Sequence, residues 1–180
     1  MKRIAFYILL LFAPAFMLPA NGQSGHIKSE TEYFTHYKLK DSGSVFLFTR
    51  NSFDSIPKAG NQISIQQPHE LGLEIQRFLK AQFTDLTDEE KSFFDNTWWV
   101  IKITADKRCS RSHFIVDSAQ VRYIPQWEER LYRMTEAFKE IDFSPYGLEL
   151  SKPDDPESNW VDLTVPLRWI WKDLSPSRNH

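Results

Sequence analysis

The sequence predicts an α+β fold in two layers: a small antiparallel sheet packed against one long helix, preceded by a β-hairpin and a helical connection. Three observations carry that expectation. Thr97 to Thr104 alternates, with Trp99, Ile101 and Ile103 on one face, the period-two signature of a half-buried strand. Val161, Leu163, Val165, Leu167, Trp169 and Trp171 repeat the same period later in the chain. Between them, Trp127, Leu131, Met134, Phe138 and Ile141 follow Pro125 at helical spacing. That spacing makes a narrow apolar stripe, which a single sheet face can cover.

Taken from the start, the chain opens with a processing segment. Lys2-Arg3 is a basic head, Ile4 to Leu18 is apolar but broken by Pro14, and Ala20-Asn21-Gly22 places small residues before a cut at Gln23. This is the pattern of a secretory signal peptide over residues 1–22. The apolar run falls short of the ~20 residues that span a bilayer, so the reading is export without a stable transmembrane anchor, to the periplasm or beyond the cell. Removing Lys2 and Arg3 takes the net charge from −2 to −4, a balance that disfavours nucleic acid as a partner. Residues 23–32 are polar and aperiodic and read as an unstructured mature terminus.

A single domain is expected over 33–171, with a tail at 172–180. Its first part, 33–85, begins with a hairpin. Tyr33, Thr35, Tyr37 and Leu39 share one face, Asp41-Ser42-Gly43-Ser44 has turn chemistry, and Val45 to Arg50 is rich in strand formers. Gln62 to Gln66 reads as a short strand, and Pro68 introduces a helix at about His69 to Phe83 with Leu71, Ile75, Phe78, Leu79 and Phe83 on one stripe. Thr87-Asp88-Glu89-Glu90 matches a capping box and starts a second, short helix ending near Asp95. The acidic cluster there is accounted for by capping and by the positive end of the helix dipole. Ser112 to Ser118 is the second alternating strand after a polar turn, and Phe143 to Gly147 turns the chain after the long helix. Pro166 cannot donate to a ladder, which places its strand at an edge or at a bulge.

The residues 86–171 resemble the C-terminal domain of TonB-type energy transducers. Trp99-Val100-Ile101-Lys102-Ile103 corresponds to that family's first strand, Asp106 to its acidic turn, and Ser112 to Ser118 to the second strand. Trp127 to Phe138 corresponds to the helix, Phe143-Ser144-Pro145 to a Phe-x-Pro element, and Val161 to Trp169 to the closing strand. Lys107-Arg108-Cys109 stands where the family usually carries a glycine. The resemblance implies binding to another protein by strand addition. It does not imply energy transduction, because the transducers' membrane helix and Pro-rich spacer have no counterpart here.

No zinc spacing, nucleophile elbow, P-loop or dinucleotide fingerprint occurs among these residues. His113 and Asp117 share a strand face, but four residues of extended chain separate them by about 13 Å. The expectation is a non-catalytic protein with no metal and no cofactor, which binds a protein or peptide in the cell envelope. Cys109 is the single cysteine, so an internal disulfide is excluded, and it is either a quiescent thiol or a bridge between chains. The alternative function is a small-ligand or glycan-binding domain that uses outward aromatics. Trp98, Tyr123, Trp160 and Arg168 are the candidate binding residues, with core filling as the competing role for the aromatics. Trp98 faces away from Trp99, and the N-terminal hairpin is expected to cover it, with exposure to a ligand as the alternative.

Overall fold

The computed structural model describes residues 26–39, 43–50, 63–150 and 160–171. The expected signal peptide, the 151–159 loop, the 172–180 tail and most of the hairpin turn lie outside the described residues. The strands are β1 (His26–Glu30), β2 (Phe34–Leu39), β3 (Ser44–Thr49), β4 (Ile63–Ile65), β5 (Trp98–Thr104), β6 (Cys109–Asp117), β7 (Leu148–Leu150) and β8 (Trp160–Pro166). The α-helices are α1 (Pro68–Gln82), α2 (Asp88–Asp95) and α3 (Glu128–Phe138). Six strands form an antiparallel sheet in the order β1-β2-β3-β6-β5-β8, and β4 pairs with β7 in a separate ribbon. The α+β class read from the sequence is present, but three helices cover the sheet where one long helix is expected. The sheet is also larger, because the N-terminal segment joins it edge to edge.

The alternation of β5 is realised as read: Trp99, Ile101 and Ile103 are fully buried. Their face continues into Phe114 and Val116 of β6, Val45 and Leu47 of β3, and Val161, Leu163 and Val165 of β8. Against it pack Leu71, Ile75 and Leu79 of α1 and Leu131, Met134 and Phe138 of α3, all buried. Trp99 is the hub of the interface. Its ring lies 4.4 Å from Phe138, 6.1 Å from Phe114 and 6.2 Å from Phe78, centroid to centroid.

Four expectations need correction. His26–Glu30, read as unstructured, is β1, held by a short hairpin in which Thr31 N–H donates to Phe34 O at 2.9 Å and Thr31 Oγ1 accepts from Phe34 N–H at 3.1 Å. The long helix does not start at Pro125. That proline sits inside a 3-10 segment, Ser118–Gln126, and α3 begins only after Trp127. The closing strand does not run to Trp171. It stops at Pro166, and Leu167–Ile170 turns into a 3-10 segment that buries Leu167 and Ile170, a three-residue spacing that period two cannot distinguish over so short a run. Finally, the N-terminal hairpin does not cover Trp98. It extends the sheet beyond β6, leaving Trp98 half-buried on the opposite face.

The capping box is formed. Thr87 Oγ1 accepts from Glu90 N–H at 3.3 Å, and the Glu90 carboxylate accepts from the Thr87 N–H. Thr87→Ala is expected to lower stability by about 1 kcal/mol, read as a shift in the urea midpoint at unchanged slope. Gly147 is the other local specification. Its φ is 62°, and a Cβ there would stand 2.7 Å from Gln66 Cβ, across the contact in which Gln66 N–H donates to Gly147 O at 3.2 Å. Gly147→Ala therefore combines left-handed strain with a clash. It should cost about 1–3 kcal/mol, whereas Gly72→Ala, where a Cβ meets nothing within 4 Å, should not destabilise.

Candidate functional site

The hydrogen bonds at strand ends settle which backbone groups each strand turns outward. In an antiparallel ladder, residues bonded to one neighbour alternate with residues bonded to the other. Leu167 N–H donates to Thr97 O at 3.0 Å, Ser118 N–H to Gly43 O at 2.8 Å and Arg50 N–H to Tyr33 O at 2.9 Å. Each of these lies in the register of its strand pair. Continued along β8, the alternation turns the N–H and C=O groups of Val161, Leu163 and Val165 toward β5. Those of Trp160, Asp162 and Thr164 point to the outer edge. Pro166 falls on the outward set, so its missing N–H costs the sheet no bond. Among the described residues no strand pairs with that edge. The opposite edge, β1, is also unpaired among the described residues. There, however, Lys28 and Glu30 form an ion pair at 2.8 Å with half-exposed side chains, and charge of this kind discourages strand addition.

The four candidate residues divide between two regions. Trp98 and Arg168 come together, with the guanidinium carbon 5.2 Å from the indole centroid. Trp160 lies at the far end of β8, paired across the sheet with Thr104 while Trp98 pairs with Pro166. Six residues of strand, about 20 Å, separate the two indoles. Trp160 is buried, with Lys102 Nζ 3.5 Å from its ring centroid. Tyr123 belongs to the 3-10 segment and to a different part of the molecule. The three aromatics therefore do not line one pocket.

Between Trp98 and Trp160, the sheet face opposite the helices carries several titratable groups. Lys102 pairs with Asp162 across β5 and β8, and with Arg111 across β5 and β6. Burial lowers Lys102 to about 8, helped by Arg111 and opposed by Asp162. Burial raises Asp162 to about 6 against the pull of Lys102 and Arg111. His113, stacked on Phe48 at 4.8 Å, is lowered to about 4 by burial and then by Arg111.

The last two shifts act in opposite directions on stability. Asp162, with its folded pKa raised from 3.8 to about 6, destabilises increasingly as pH rises through that window. His113, with its folded pKa lowered from 6.5 to about 4, destabilises increasingly as pH falls through its own. Thermal unfolding between pH 4 and 6.5 should separate them. Asp162→Asn should make the protein lose stability more steeply on acidification, and His113→Gln should make it gain stability. Identical pH profiles for the two variants would contradict the assignment. Cys109 is buried, and its thiol is pushed up to about 12 by burial. Alkylating reagents should leave it intact until the chain unfolds.

A cleft of about 340 Å³ opens between α2 and the 3-10 segment. Tyr123 and Trp127 line it from one side, and Glu89 and Phe93 from the other. The Trp127 ring lies 6.3 Å from that of Phe93, inclined by 26°. Gln120 reaches across, its Nε2 donating to Ser92 O at 3.4 Å, while its buried Oε1 has no hydrogen-bond partner among the described residues. Sequence reasoning singled out Tyr123 but not Gln120, Gln126 or Trp127. They converge with α2 only through the tertiary fold, and Trp127 was assigned to the core stripe.

Among the described residues no helix is long and apolar enough to cross a membrane, and no group of three metal-ligating side chains forms. No protein-family model matches the chain, and no curated protein matches it. Among solved structures it is similar to a DUF5043 family protein from Bacteroides uniformis ATCC 8492, with a TM-score of 0.46 and 11% identity, over 79% of this chain and 90% of that one. A likeness this slight carries no argument about fold or function.

Proposed function

We propose that this is a non-catalytic exported protein that binds an extended segment of another envelope protein by adding it as a strand beside β8. The observation that carries the reading is the outward set on β8. Trp160, Asp162 and Thr164 present three N–H and three C=O groups, and Pro166 adds a fourth carbonyl, on an edge with no paired strand among the described residues. Backbone groups aligned in this way supply affinity to any extended peptide, and flanking side chains supply selection. The charged β1 edge lacks that permissiveness. Export is supported by the basic head, apolar run and small-residue cut of residues 1–22. Kinship with TonB C-terminal domains is proposed for residues 86–171 alone, since β1 to β3 and α1 lie outside that pattern.

Thr164→Pro removes one outward donor without removing a bond to β5. A photo-reactive residue at Asp162 should yield an envelope adduct that Thr164→Pro abolishes at unchanged melting temperature. The same probe at exposed Arg133 of α3 should yield none. Adducts that survive Thr164→Pro, or that form equally from position 133, would overturn the proposal.

A further inference from the structure

Two opposite charges stand unpaired along the β8 edge. Asp162 lies within β8, and Arg168 lies just past its end in the 3-10 segment Leu167–Ile170. Both reach the sheet face away from the helices: Asp162 pairs across the sheet with Lys102, and the Arg168 guanidinium stands over the Trp98 ring. Each is half-buried, and neither side chain makes a hydrogen bond or ion pair with a described residue. Lys102 sets its Nζ over the Trp160 ring, 3.5 Å from the centroid, rather than on the carboxylate. A carboxylate taken out of water without a bonded cation is costly, and burial holds Asp162 at about 6 against the pull of Lys102 and Arg111. On the basis of strand addition beside β8, we infer that the bound segment reads acid-x-x-x-base from its N- to its C-terminus, with apolar residues at the two positions between that turn toward the helices.

The spacing follows from the register. Four residues of extended chain, about 13 Å, separate the positions of Asp162 and Pro166. Trp98 pairs with Pro166, so the guanidinium on its ring lies beside the second of these. Side chains four apart on an added strand share a face and span the same distance. Every pair in the six-stranded sheet is antiparallel, and an antiparallel neighbour gives the more stable ladder. Its earlier residue then falls at Pro166 and Arg168, and its later one at Asp162. An acid at the first and a base at the second complete both charges. The residue midway meets Thr164. Those on either side of it turn to the helix face beside Val165 and Leu163, both buried and apolar. A second copy of β8 matches the edge less well. Paired about Thr164, it would set Pro166 opposite Asp162 and return no N–H to the Asp162 carbonyl. Paired about Asp162, it would oppose two carboxylates.

The test titrates the mature chain with end-capped, dye-labelled peptides, followed by fluorescence anisotropy. The first probe is Thr-Val-Glu-Val-Thr-Val-Lys-Val-Thr. A second carries Gln at both charged positions, and a third exchanges Glu and Lys. The first should bind about tenfold more tightly than the second, the scale of two cross-strand charge pairs, and the third no more tightly than the second. Arg168→Gln should remove the gain due to the peptide's Glu alone, and Asp162→Asn the gain due to its Lys alone, which couples each pair separately. Thr164→Pro should abolish binding of all three. Equal binding of the three peptides, abolished by Thr164→Pro, would overturn the charge pattern while leaving strand addition in place. Tighter binding of the third would overturn it too. Absence of any binding sensitive to Thr164→Pro would overturn strand addition, and the charge pattern with it. Sedimentation equilibrium of the mature chain should give a monomer. A dimer dispersed by Thr164→Pro would assign the edge to a second copy instead.

Discussion

Trp99→Ala is expected to lower the unfolding free energy by about 3–5 kcal/mol, the range for deleting a large aromatic from a packed core. Trp99 is fully buried between the sheet and two helices, in ring contact with Phe78 of α1, Phe114 of β6 and Phe138 of α3. Its removal opens a cavity at the point where both layers meet. The indole also carries a liability, because its buried Nε1–H has no acceptor among the described residues. Trp99→Phe loses packing but also discards that orphaned donor, an offset of about 1–3 kcal/mol. The phenylalanine variant should therefore stay close to the parent. Urea denaturation of both variants checks this. A loss below about 1 kcal/mol for Trp99→Ala would remove Trp99 from the centre of the core, and a loss for Trp99→Phe as large as that for Trp99→Ala would contradict the offset from the orphaned donor.

The second large effect is expected where β2 meets α3. His36 Nε2 lies 2.7 Å from Glu128 Oε1, with side chains only 12% and 7% exposed. Truncating one partner leaves the other buried without its hydrogen bond. Glu128→Ala should consequently cost about 3 kcal/mol. Replacing both by apolar groups, His36→Phe with Glu128→Leu, should recover most of that loss, since the polar groups that need each other are then both absent. A double variant no better than the single one would show that the cost comes from packing rather than from the pair.

This contact also marks the limit of what could be read in the chain. His36 and Glu128 are 92 residues apart, and nothing local to either announces the other. Local chemistry was legible. The capping box at Thr87 and Glu90, the buried triplet of Trp99, Ile101 and Ile103, the α1 stripe and the turn at Gly147 follow from spacing and side-chain type within a few residues. Pro166 was readable as an edge residue because its missing donor has no other comfortable place in a sheet. The extent of the sheet was not readable. Lys28, Ser29 and Glu30 are polar because they are exposed on an edge strand, and such a strand has no apolar period to display. Leu167 to Trp171 carries apolar residues that fit both a strand and a 3-10 turn, and docking decides the matter: Gln76 Nε2 of α1 donates to Trp169 O at 2.8 Å. The candidate site was legible only in part. Trp98 and Arg168 do meet, but Trp160 stands far from them, and the cleft around Tyr123 is assembled from two segments whose approach depends on the whole core.

The claim on which the functional reading rests is that β8 offers an open edge. Amide hydrogen exchange on the isolated mature protein tests it directly. Val161, Leu163 and Val165 should be protected to the level of the global core, whereas Trp160, Asp162 and Thr164 should exchange far faster, giving a strict alternation along one strand. Strong protection of all six amides would mean that the edge is already occupied, and strand addition beside β8 would then have no groups to use.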